Sequence, residues 1–134
     1  MDTYTLVTEL KEDGRKLVEE LLQRGFDVSA AFWLKASEKE EWNFYIVSPM
    51  VESQGLREAY MTLHPLVRAM PQPFWIELPD ITLIGPSNPI AQDVLAIQKR
   101  KAGTRLTPAN WQGRRLGNVS IDAAYLYLLP VGTP

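Results

Sequence analysis

Leu10, Leu17, Val18, Leu21 and Leu22 recur at the three-and-four spacing of an amphipathic helix, with Glu19, Glu20, Gln23 and Arg24 on the opposite side. The spacing predicts a helix from about Thr8 to Arg24. Gly14 lowers helix stability by about 1 kcal/mol relative to alanine, so Asp13 is an alternative N-cap. Gly25 suits the left-handed residue that closes a helix.

The period then shortens. Val28–Ala36 and Glu41–Val47 are apolar and aromatic runs around a charged segment at Ser37–Glu40, the pattern of a β-hairpin. Trp33 and Trp42 are expected as a cross-strand pair. Ser48-Pro49 ends the second strand. A helix is expected over Ser53–Met70, kinked or broken near His64 by Pro65. Pro71-Gln72-Pro73 then forces an extended stretch. Asp80–Ile84 predicts a short, well-buried central strand. Asn88 is placed as N-cap and Pro89 as first residue of a third helix, with Ile90, Val94, Leu95 and Ile97 inward and Gly103 as the stop. Pro108, Gly113 and Gly117 break the remainder, Gly117-Asn118 marks a turn, and Ala123–Leu129 is the last strand. The order α-β-β-α-β-α-β-β defines one α+β domain over residues 1–134, a mixed, mainly antiparallel sheet with helices on one face.

The segments Gly25-Phe26-x-Val28-x-Ala30-Ala31-Phe32-Trp33, Trp42, Ile46-Val47-Ser48-Pro49 and Arg57-Glu58-Ala59-Tyr60 resemble a family of short uncharacterised bacterial proteins. Ile81-Thr82-Leu83-Ile84 and Ala123-Ala124-Tyr125 extend the resemblance over most of the chain. It implies no activity and assigns no residue a role.

Composition narrows the chemistry. The 134 residues contain no cysteine and one histidine, which excludes disulfides, thiolate chemistry and Cys- or multi-His metal sites within one chain. No metal and no cofactor is expected. No signal peptide opens the chain and no apolar run reaches the ~20 residues of a membrane span, so the expectation is a cytoplasmic protein with no membrane partner. Phosphate-loop, dinucleotide-fold, zinc-protease and nucleophile-elbow motifs are missing from the sequence.

Charge is unevenly spread. Residues 1–60 hold twelve acids and seven bases, a net −5, and residues 61–134 hold four and seven, a net +3, which together give the overall −2. Lys99, Arg100, Lys101, Arg105, Arg114 and Arg115 lie in a window without acids, and Trp111 among them offers a ring for base stacking. That window is the candidate nucleic-acid or anion-binding segment. Lys99, Arg100 and Lys101 also suit a helix C-terminus with no ligand at all. The Gly85–Pro89 junction offers amides to an anion, although its prolines remove two donors. Asp80 and Asp122 each open a strand, and if the strands are neighbours they form a carboxylate pair; with His64 they are the candidates for a small hydrolase-like enzyme. The aromatic load exceeds what one sheet face needs, which favours a non-catalytic protein-interaction or regulatory module, with a second copy of the chain as one partner.

Overall fold

The computed structural model describes residues 8–37, 41–101, 107–111 and 115–129. In chain order these form α1 (Thr8–Gln23), β1 (Ala30–Ala36), β2 (Asn43–Val47), α2 (Met50–Ser53), α3 (Leu56–Arg68), a 3-10 turn (Leu78–Asp80), β3 (Ile81–Ile84), α4 (Pro89–Lys101), β4 (Thr107–Trp111), β5 (Arg115–Leu116) and β6 (Val119–Leu128). The expected stop at Gly103 and the hairpin tip at 38–40 lie outside the described residues.

The sheet runs β3-β2-β1-β6-β4, with β5 paired to the start of β6 as a small hairpin. Among the described strands β2–β3 is parallel, and β1–β2, β1–β6, β4–β6 and β5–β6 are antiparallel. The fold is therefore α+β with a mixed, mainly antiparallel sheet, and the expected hairpin is β1–β2.

The helices cover both faces of this sheet, not one. β1 shows why: Ala30, Phe32 and Leu34 point into one core, and Ala31 and Trp33 into the other. Leu17, Val18 and Leu21 of α1 and Ala59, Leu63 and Val67 of α3 close the Trp33 side. Ile90, Ala91, Val94 and Ile97 of α4 close the Phe32 side. A strand buried on both faces has no polar alternate positions, which is the continuous apolar run of Ala30–Leu34. The same logic corrects the central placement of β3. Ile81, Leu83 and Ile84 are buried by helices, yet β3 is an edge strand.

Three local expectations hold. Gly25 has φ 79° directly after α1, and the Phe26 N–H returns to the Leu21 carbonyl at 2.9 Å. Asn88 Oδ1 accepts the Ile90 N–H at 2.9 Å, with Pro89 the first residue of α4. Gly117-Asn118 turns between β5 and β6.

Others change. Trp33 stands opposite Phe44, their rings 4.9 Å apart; Trp42 precedes β2 and is not its partner. The expected helix at 53–70 is α3, which starts after Gly55 and runs through Pro65 without a break, and the separate short α2 precedes it. Pro65 lies on the solvent side of α3, where a carbonyl freed by the missing N–H meets water. Gly14 lies within α1 and is buried, so Asp13 is not its N-cap. β4 was hidden by Pro108, which suits an edge strand because it has no N–H to donate.

Candidate functional site

Of the basic window the structure describes the side chains of Lys99, Arg100 and Arg115. Lys99 and Arg100 are exposed in the last turn of α4 and Arg115 is exposed in β5. Arg105 and Arg114, with the side chains of Lys101 and Trp111, lie outside the described residues. Arg100 and Arg115 line one groove of about 260 Å3 with Ile97, Leu116 and Asp93. Asp93 breaks the basic character of that groove. Its Oδ2 accepts the Gly117 N–H at 2.6 Å and so pins the β5–β6 turn to α4. Gly117 has φ 61°, and a Cβ there would run into the Pro89–Ile90 backbone, so only glycine permits this approach.

The Gly85–Pro89 junction already holds an anion of its own. The Glu52 carboxylate accepts the Ser87 N–H at 2.8 Å and also the Ser87 hydroxyl. These bonds hold the Glu52 carboxyl below its ordinary pKa. The sequence gives no hint of this contact, because α2 and the loop are 35 residues apart.

The carboxylate pair is not formed. Asp80 stands before β3 and Asp122 on β6, with β2 and β1 between the two strands. Asp80 Oδ2 accepts the Glu77 N–H in the capping box of the 3-10 turn. Asp122 binds Lys35 Nζ at 3.0 Å and the Ser37 hydroxyl at 3.0 Å, and these bonds, Lys35 first, lower its pKa. Lys35 is itself only 3 % exposed, so Asp122 neutralises a nearly buried ammonium. His64 is exposed on α3. Among the described residues no group of three or more His, Cys, Asp or Glu could hold a metal, and no helix is long and apolar enough to cross a membrane.

The feature that sequence reasoning missed is the stretch between α3 and the 3-10 turn. Phe74 packs against the α1–α3 core and Ile76 is buried in it, while Trp75 between them is 62 % exposed. The Trp75 N–H donates to Asp13 Oδ2 at 2.6 Å, and Asp13 is only 4 % exposed. A buried carboxylate on α1 thus fixes the backbone beneath an exposed indole. Trp75 lines a groove of about 250 Å3 with Pro73, Thr8, Glu9, Glu12 and Lys16. Glu12 is held by Arg15 at 2.8 Å, which lowers its pKa. The one available signal was a tryptophan between two apolar residues in an extended stretch, where alternation turns the middle side chain outward.

No protein family, no characterised protein and no solved structure matches the chain.

Proposed function

We propose that this chain is a protein-interaction module whose contact centre is Trp75. The observation that carries the reading is the pairing of an exposed indole with a backbone anchored to the buried Asp13. Tryptophan is among the residues that most often dominate an interface, and a side chain on a fixed backbone loses less freedom on binding. Glu9 and Glu12 beside the ring suit a partner segment that carries a cation, which the indole face also attracts. A second copy of the chain is one such partner, because it presents Lys99, Arg100 and Arg115.

The test compares immobilised wild type with Trp75→Ala. The exposed position makes a stability change beyond about 0.5 kcal/mol unexpected, so both proteins fold alike. Proteins retained from a cell extract by the wild type and released by Trp75→Ala support the reading. Identical retention by both overturns it. Light scattering of the two purified proteins identifies the case in which the partner is a second copy.

A second reading rests on Arg100 and Arg115, which come from separate elements and share one groove: binding of nucleic acid or another polyanion through the basic 99–115 segment. Asp93 within the groove and the acidic pI of 5.4 favour the first reading.

A further inference from the structure

A cleft of about 340 Å3 opens between the β1–β2 hairpin and the β5–β6 turn, on the face of the sheet that carries α4. This lies within the range of about 300–1,000 Å3 usual for small-molecule sites. Leu34 and Ala36 of β1 and Val119 of β6 give it an apolar side. Asn43, Tyr45, Asn118 and Ser120 give it two amides and two hydroxyls. None of these four side chains makes a hydrogen bond to another described residue. Elsewhere the fold uses such groups internally. Asn88 caps α4, and Gln98 joins the Ser29 carbonyl to the Leu129 N–H. The half-buried Asn43 and Tyr45 of β2 thus keep polar side chains that no described residue uses, beside the exposed Asn118 and Ser120.

The chemistry of the lining selects the ligand. Among the described lining residues there is no carboxylate, ammonium or guanidinium. Burial pushes the Tyr45 phenol up from its ordinary pKa, so it stays a neutral donor. Its ring is stacked on Phe32, 5.2 Å between centroids and within 3° of parallel, which limits the directions the phenol can take. Among these described lining side chains a charged ligand finds no counter-charge to offset its desolvation. Amides and hydroxyls both donate and accept, so they match a group that does the same along one edge.

We propose that this cleft binds a small uncharged molecule with a planar amide edge, a carboxamide or lactam, facing Asn43, Tyr45, Asn118 and Ser120, and an apolar body against Leu34, Ala36 and Val119. The proposal is independent of Trp75, which lines a different groove.

Benzamide titrated into the 15N-labelled protein is the probe, with benzoate and benzylamine as charged molecules of similar size. The expected result is saturable shifts at the Asn43 and Asn118 side-chain amides and at the 118–120 backbone, with benzoate and benzylamine weaker by about tenfold or more. Val119→Trp fills the cleft and removes the response. Asn118→Ala, at an exposed turn position, weakens it and gives the answer if the larger substitution fails to fold. Absence of shifts at these residues up to the solubility limit, equal responses to all three probes, or binding unchanged in Asn118→Ala overturns the proposal.

Discussion

The indole N–H of Trp33 donates to the hydroxyl of Tyr127 at 3.0 Å, across 94 residues of chain. The Tyr127 hydroxyl in turn donates to the Lys11 carbonyl at 2.7 Å, so one hydroxyl joins the two central strands to α1. Burial raises the Tyr127 pKa, which keeps it a donor. Gly14 makes room for the contact: a Cβ there would collide with the Tyr127 hydroxyl and the Trp33 indole.

Gly14→Ala is therefore expected to destabilise, although alanine is the better helix former. The propensity gain is about 1 kcal/mol, against about 1–3 kcal/mol for forcing a methyl into packed space. Tyr127→Phe leaves the buried Trp33 N–H without its acceptor, at about 1–3 kcal/mol. Urea unfolding measures both. The double variant should lose less than the sum, because removing the hydroxyl clears part of the space.

Tyr60 performs a comparable task at the edge of the sheet. Its hydroxyl donates to the Ile81 carbonyl at 3.0 Å and accepts the Leu83 N–H at 3.0 Å, occupying polar groups on the side of β3 away from β2. Tyr60→Phe should lower stability by about 1–3 kcal/mol through the two orphaned groups. It should also expose a pairing edge, so concentration-dependent association in light scattering is expected of the variant beyond that of the wild type.

Asp122 links stability to pH. Its folded pKa lies below its unfolded value, so its contribution is present above the unfolded value of about 3.9 and is lost as pH falls through the folded one. Wild type should resist urea better than Asp122→Asn near pH ~7, and the gap should close near pH ~2. Glu12 and Glu52 are also depressed, but they are common to both proteins and cancel in the difference. A gap that persists at low pH would show that Asp122 acts by packing alone.

The basic segment makes a quantitative forecast. Six phosphate contacts would give a slope of log K against log salt of about −4 to −5, whereas Arg100 and Arg115 alone give about −2. Among the described residues the groove joins these two, and a slope near that of two contacts is expected for a mixed oligonucleotide. Arg115→Glu should remove the binding that remains at low salt.

Much of the architecture was legible because it rests on local rules. Gly25 ends α1, Asn88 and Pro89 start α4, and the charged stretch after Ala36 separates two strands. The run Ala30–Leu34 has no polar alternate positions, the mark of a strand buried on both faces, yet helices were expected on one face only. What the chain does not display locally is adjacency. β3 reads the same at an edge as at the centre once helices cover both its faces. Trp33 meets Phe44 and not Trp42 because register depends on the whole strand pair. Asp13 and Trp75 are 62 residues apart, and nothing near either of them announces the bond.

The position of β1 sets the order in which the chain can become complete. Its pairing with β2 closes a short loop, but its other flank is matched only by Ile121–Tyr127. During synthesis the central strand therefore waits, half satisfied, until nearly all the preceding chain has left the ribosome. Closing so long a loop makes folding slow compared with the hairpin alone.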